Sequence, residues 1–240
     1  MVQLSVCHKA KHGCIIMASG MGTRFGGNKL MAELDGVPLI QHVIRATDGL
    51  FARCVVVTRH DEVAELCHAL GVEVILHNEQ YRNDTVRLGM EDMDGCATVT
   101  FVQADQPLIS AKSIASLLSS AEEDSESIWR VSFEGTPGAP VLFPAWTFDE
   151  LRALPLGKGG GYVAKAHKER VRTVEVVSKW ELVDVDTVED LQVLRHHVSR
   201  EFEGLLLSWL PQRRYQGYGY QKARPRVQFE LRGRAPCSHG

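Results

Sequence analysis

Through residue 200 the chain alternates short apolar runs with stretches whose apolar positions recur every three or four residues. Cys14–Ala18, Cys54–Thr58, Val72–Leu76 and Ala97–Gln103 are rich in Val and Ile and nearly free of charge, which predicts strands covered on both faces. Between them Pro38–Thr47, Asp61–Leu70 and Asp84–Met93 have helical period. Pro38 suits a first helical turn and Gly71 the residue just past a helix end. Strands that alternate with helices predict a three-layer α/β fold around a mostly parallel, Rossmann-like sheet.

The second half is less regular. Ser110–Ala121 reads as a helix and Ser127–Phe133 as a strand, while Gly135–Pro144 is turn-rich around an apolar Val141–Phe143. A short helix over Phe148–Leu154 leads into the loop Gly157–Gly161, and strands are predicted at Val171–Val176 and Glu181–Val185. Thr187 and Asp190 form a capping-box pattern. The apolar series from Leu191 to Trp209 then carries a last helix to about Leu210, where Pro211 stops it. These boundaries divide the chain into an N-terminal tail (1–12), one domain (13–210) and a tail (211–240) without apolar periodicity, expected to be disordered.

Charge sharpens that division. The chain of 240 residues has net charge −3, but residues 211–240 carry seven Lys or Arg against one Glu, a local +6, so residues 1–210 carry −9. An acidic body argues against a broad nucleic-acid-binding face. The tail interleaves Tyr215–Tyr220 with Arg213, Arg214 and Lys222, and is read as a solvated basic tail. No run approaches the ~20 apolar residues of a membrane span, and no signal peptide is readable. The six cysteines contain no C-x-x-C pair and fall partly inside apolar runs, so reduced thiols in a cytoplasmic protein are expected. Cys7, His8, His12 and Cys14 lack the spacing of a zinc site and are read as tail and first strand.

The strongest chemical signal follows the first strand: Ala18, Ser19, Gly20, Met21, Gly22, Thr23, Arg24, Phe25, Gly26, Gly27, Asn28, Lys29. Glycines let a chain turn its N–H groups toward an anion, and Arg24 and Lys29 add fixed positive charge. The Walker phosphate loop does not fit, because Lys29 is followed by Leu30. Nor does G-x-G-x-x-G, whose third glycine falls one place late. Asp105 follows an apolar strand and so stands at a carboxyl end, where open α/β sheets bind ligands; its bland alternative is a turn former before Pro107.

These residues resemble the MobA-like nucleotidyltransferase family, in particular its molybdenum cofactor cytidylyltransferases. Met17–Lys29 follows the family loop L-A-A-G-x-S-x-R-M-G-x-x-K, with Ser19 for the second Ala and Phe25 for Met. Asn83–Gly89, Asp105–Leu108, Gly138–Phe143 and Asp184–Thr187 follow in the family's order. The resemblance implies a fold of the nucleotide-diphospho-sugar transferase type and transfer of a nucleotidyl group from an NTP to a phosphorylated acceptor with Mg²⁺. Arg24 and Lys29 would be catalytic, with Ala18, Ser19, Gly20, Gly22, Thr23, Asp84, Thr85 and Arg87 binding the nucleotide. Asp105, with Asp186 as a second ligand, would hold the metal. Gly138, Lys158 and Gly159 would lie near the acceptor, although the family's acid and Arg are missing from the 157–161 loop.

The implied partners are CTP and molybdenum cofactor, with a transient contact to a molybdoenzyme. Ser19, a small non-glycine residue before the first loop glycine, favours CTP over GTP within that resemblance. Other readings compete: cytidylyl or guanylyl transfer to a sugar or polyol phosphate, guanylation of the cofactor, an NADP-dependent dehydrogenase suggested by Arg59, and a cofactor carrier without turnover.

Overall fold

The computed structural model describes residues 12–209. A seven-stranded sheet in the order β5-β4-β1-β6-β8-β7-β9 runs through its centre. The first four places are filled by β1 (His12–Ala18), β4 (Arg53–Thr58), β5 (Glu73–Leu76) and β6 (Thr98–Gln103), all mutually parallel. β7 (Ile128–Phe133) and β9 (Val171–Glu175) are parallel to each other, and β8 (Thr136–Pro144) is antiparallel to both its neighbours, β6 and β7. The fold is the expected three-layer α/β arrangement, with one reversed strand.

Central position explains why β1 is apolar on both faces. Cys14, Ile16 and Ala18 point into one core layer and Ile15 into the other, all at most 1% exposed. The first layer includes residues of α1 (Leu39–Thr47), α2 (Asp61–Leu70) and α4 (Ala111–Glu123). The second includes α3 (Arg82–Glu91), α5 (Phe148–Arg152) and α6 (Gly161–Ala166). α2 ends as its sequence requires, with Gly71 left-handed at φ +69° and its N–H returned to the last turn. α7 (Val188–Trp209) opens with the expected box: Thr187 N–H donates to Asp190 Oδ2 at 2.8 Å, and Asp190 N–H to Thr187 Oγ1 at 3.1 Å. The compact unit that carries the sheet extends to Glu201.

Three expectations change, and one further element appears. The 135–144 stretch is a nine-residue strand rather than a set of turns, despite Pro137, Gly138 and Pro140. Glu134 and Gly135, both at positive φ, make the tight turn from β7, and a register shift between Arg130 and Ser132 absorbs the irregularity. Glu181–Val185 is not a strand. Lys179–Leu182 forms a 3₁₀ turn in which Glu181 is drawn in to accept the Ser110 N–H at 3.1 Å and Leu182 O accepts from Gln106 Nε2 at 3.4 Å, while Val185 N–H donates to Asp105 O at 2.9 Å. His12 is not tail: it begins β1, is 2% exposed, and its Nδ1 meets Thr98 Oγ1 at 2.7 Å. A two-stranded ribbon of β2 (Glu33–Leu34) and β3 (Val37–Pro38), turning at Asp35–Gly36, was signalled by that dipeptide but not read from it. Cys7, His8 and the 211–240 tail lie outside the described residues.

Gly89 lets α3 lie close against β1. A Cβ there would stand 2.8–3.0 Å from three carbons of Ile15, which is wholly buried. Ala would add about 1 kcal/mol of helix propensity, but overpacking costs roughly 1–3 kcal/mol. Gly89→Ala is therefore expected to destabilise the protein in urea unfolding. Ile15→Val, which removes one of the crowding carbons, should recover part of that loss in the double variant.

Candidate active site

The loop between Ala18 and Lys29 starts at the carboxyl end of β1. Gly22 sits at φ +59°, and a Cβ there would run into the carbonyl of Gly27, so the turn closes only with glycine. Neighbouring side chains take the loop's first carbonyls. Arg59 Nε donates to Ser19 O at 3.1 Å and its NH1 to Glu79 O at 3.0 Å, while His60 Nε2 meets Gly20 O at 2.8 Å. Arg59 is thus a clamp on the loop, which accounts for it without NADP. With those carbonyls held aside, the loop amides are left to meet an anion.

Ser19 is fixed as firmly. Glu79 N–H donates to His77 Nδ1 at 3.1 Å, so the neutral ring carries its proton on Nε2 and donates it to Ser19 Oγ at 2.8 Å. Ser19 in turn donates to Val57 O at 3.0 Å. Burial, aided by the charge of Arg59, holds the His77 pKa below its ordinary value and keeps the ring neutral.

The charged centre is a chain of four groups. Lys29 Nζ, on a residue only 6% exposed, donates to Asp105 Oδ2 at 2.6 Å and to Asp186 Oδ1 at 2.8 Å. Arg24 reaches the other oxygen of Asp186 at 2.7 Å. Burial by itself would lower the Lys29 pKa, but the hydrogen bonds and charges of Asp105 and Asp186 outweigh it, and the ammonium titrates above its ordinary range. The hydrogen bond from Lys29 pulls Asp186 down against the opposing effect of burial, and the charges of Lys29 and Arg24 add to it. Asp184 is shifted the other way, raised by burial and then by the charge of Asp105. Asp186 is held in place from behind, since its N–H and that of Thr187 both go to Asp190 Oδ2.

Two cavities open here. The first, of about 230 Å³, is lined by Ser19, Gly20, Lys29, Arg59, Thr85 and Asp105 among others. The second, of about 780 Å³, has Phe101 and Phe143 in its apolar wall, their rings 5.2 Å apart, and Lys158, Gly159, Tyr162 and Lys165 around it. Met17, Arg82 and Gln103 line both.

Of the residues singled out from the sequence, nine converge on this place by lining a cavity or joining the charged chain, and six do neither. Ala18 is buried, its carbonyl taken by Thr58 Oγ1 at 3.1 Å. Gly22 and Thr23 shape the loop without lining either cavity. Asp84 accepts the Tyr81 N–H at 3.2 Å, one turn inside a helix that starts at Arg82, so it braces the helix start. Arg87 pairs with Glu91 at 3.0 Å on the outer surface of α3. Gly138 also stays outside: its carbonyl receives the Arg130 guanidinium, and Leu182 packs where a side chain would stand. Arg82, Tyr162, Lys165 and the two phenylalanines were not found from the sequence. Arg82, directly before the Asn83–Gly89 motif, Phe143, at the end of the Gly138–Phe143 motif, and Tyr162, directly after the 157–161 loop, carried positional signals.

Among the described residues no three His, Cys, Asp or Glu side chains form a self-contained metal cage. Asp105 and Asp186 do present carboxylate oxygens on either side of one cation, that of Lys29. Such a donor set fits a hard divalent ion that completes its shell with phosphate oxygens and water.

A glycine loop with two cations thus stands at the carboxyl end of the sheet, facing paired carboxylates beside a two-part cavity. Residues 14–171 match the MobA-like NTP transferase domain, and the chain belongs to that family. A 3-deoxy-manno-octulosonate cytidylyltransferase from Trichlorobacter lovleyi is 37% identical over 99 residues, covering 40% of this chain and 38% of that protein. The chain thus spans less than half the length of the curated relatives it matches. Among solved structures, a nucleotidyl transferase from Methanothermobacter thermautotroptrophicus superposes with TM-score 0.67 at 21% identity, over 80% of this chain and 99% of that one. CMP:2-keto-3-deoxy-manno-octonic acid synthetase complexed with CTP gives 0.64 at 18%, with coverages of 80% and 99%. At those identities the likeness is one of fold.

Lys29→Ala removes the charge that Asp105 and Asp186 share. Turnover measured as pyrophosphate release is expected to fall by about two orders of magnitude or more, in line with the loss of a preorganised electrostatic contact. A near-normal rate would remove Lys29 from the chemistry.

Proposed function

We propose that the protein is a cytidylyltransferase that joins the CMP of CTP to the phosphate of molybdenum cofactor, releasing pyrophosphate. The observation that carries this reading is the pairing of a small cavity beside Lys29 with a larger one walled by Phe101 and Phe143 and flanked by Lys158 and Lys165. A flat, phosphorylated heterocycle matches such a wall and such charges, because aromatic rings stack on it while lysines meet the phosphate. Asp84, Arg87, Gly138, Ala18, Gly22 and Thr23 support the site from behind in this reading.

An oxygen of the acceptor phosphate attacks the α-phosphorus of CTP, and the bond from that phosphorus to the oxygen bridging to the β-phosphate breaks. Pyrophosphate departs with the electron pair, and the cytidylyl group is left on the acceptor. The protein supplies alignment and charge rather than a nucleophile. Lys29, kept cationic by its two carboxylates, and Arg24, exposed at the loop, stabilise the charge that builds on the leaving pyrophosphate. Asp105 and Asp186 would hold Mg²⁺, which neutralises phosphate charge when bound.

Base choice follows from the smaller cavity. Ser19 narrows it, and its hydroxyl cannot turn away without breaking the bonds to Val57 and His77. CTP is accordingly expected to exceed GTP about a hundredfold in kcat/KM, the scale of a steric clash or an unpaired buried polar group. A GTP preference would move the protein to guanylyl transfer. A second reading has its own support: the Trichlorobacter lovleyi relative named above acts, by name, on 3-deoxy-manno-octulosonate. Offering molybdopterin-bound molybdenum and 3-deoxy-manno-octulosonate separately with CTP decides between them, the first giving a dinucleotide and the second a CMP sugar. Asp105→Asn is expected to depress turnover and to shift its Mg²⁺ titration to higher concentration. An unchanged titration would make Asp105 purely structural.

A further inference from the structure

Nucleotidyl transfer takes place where the two cavities meet, since the α-phosphate must face both the leaving pyrophosphate and the incoming phosphate. Three residues line both: Met17, Gln103 and Arg82. Arg82 is the charged member. It opens α3, its side chain is exposed, and among the described residues its guanidinium makes no hydrogen bond or ion pair. Arg24 and Lys29, by contrast, are both engaged by Asp186.

The surroundings of Arg82 are arranged around its stem. Asn83 Oδ1 accepts the N–H of Gly157 at 2.8 Å, which ties the 157–161 loop to the start of α3. Gly159 then passes so near that a Cβ on it would stand 2.7 Å from Arg82 Cδ and 3.2 Å from Cγ. The missing side chain at 159 is the space that the Arg82 stem occupies.

We infer that Arg82 is a catalytic residue that bridges the acceptor phosphate and the α-phosphate of the nucleotide. The inference rests on the nucleotidyl-transfer reading given above. Two phosphates must approach each other for the new P–O–P bond to form, and their repulsion opposes it. A planar guanidinium can donate to both at once, which an ammonium such as Lys158 cannot do with the same geometry. Arg82 transfers no proton: the attacking oxygen is already anionic, and the pyrophosphate leaves as an anion. Its part is to hold two anions together while one bond forms and the other breaks.

The test uses the full chain with CTP and Mg²⁺, inorganic phosphate as a probe of the acceptor position, and molybdopterin-bound molybdenum as the phosphorylated acceptor. Arg82→Ala should leave the CTP Kd within about threefold by calorimetry. It should also weaken phosphate binding to the CTP-loaded protein about tenfold or more, and lower kcat about a hundredfold. Arg82→Lys should restore only part of that loss. Gly159→Ala, which displaces the stem and keeps the charge, should lower kcat as well. The double variant Arg82→Ala/Gly159→Ala should be no slower than Arg82→Ala alone, because both changes remove one contact. Unchanged phosphate affinity and kcat in Arg82→Ala, with CTP still bound by the parent protein, would overturn the assignment and leave nucleotidyl transfer standing. A parent protein that binds no CTP would overturn both.

Discussion

A single buried ammonium organises this molecule's chemistry. Lys29 is almost wholly enclosed, and an enclosed cation is costly unless anions accompany it. Asp105 and Asp186 meet that requirement from two distant parts of the chain, and Arg24 closes the series on the far side of Asp186. Loop, sheet end and C-terminal segment are thereby brought to one point. Removing any member leaves the others with a charge out of balance, which makes the arrangement stiff as well as charged. Stiffness matters because charge already in position needs no reorganisation when a charged ligand arrives.

The sheet supplies the geometry around that point. Four parallel strands direct their carboxyl ends toward the glycine loop, where open α/β sheets bind ligands. Reversing β8 beside β6 brings Val141 and Phe143 next to Phe101, so the same sheet builds an apolar wall adjoining the polar loop. One reversed strand thus gives the site two different halves, one suited to phosphates and the other to a flat apolar body.

Much of this was legible in the sequence, and the residues show why the rest was not. β1, β4, α2 and the Thr187–Asp190 cap were readable because their signals are local: unbroken apolar runs, one left-handed glycine, a paired hydroxyl and carboxylate. β8 was hidden because Pro137, Gly138 and Pro140 speak against a strand, and only pairing on both sides overrides them. Glu181–Val185 has strand composition, but a carboxylate drawn to a helix start 71 positions away decided its shape. Among the residues singled out for the site, Lys29 was marked by the glycine loop that follows β1, and Asp105 by its place past the carboxyl end of β6. The roles of Asp84 and Arg87 did not, because a helix that begins two residues earlier turns them away from the cavity. Arg82 escaped notice because nothing in the sequence shows that two cavities share a wall.

The tie from Val185 N–H to Asp105 O has a consequence in time as well as in space. It is this hydrogen bond, not a strand, that brings Asp186 within reach of Lys29, a partner 157 positions earlier in the chain. A growing polypeptide therefore carries its glycine loop, and even Asp105, long before it has the second carboxylate that Lys29 requires. Contacts of such long separation form late, after the loop entropy between them has been overcome. Biosynthesis thus withholds the finished charge cluster until nearly the whole domain has emerged, and an interrupted product carries the loop without its last counter-ion.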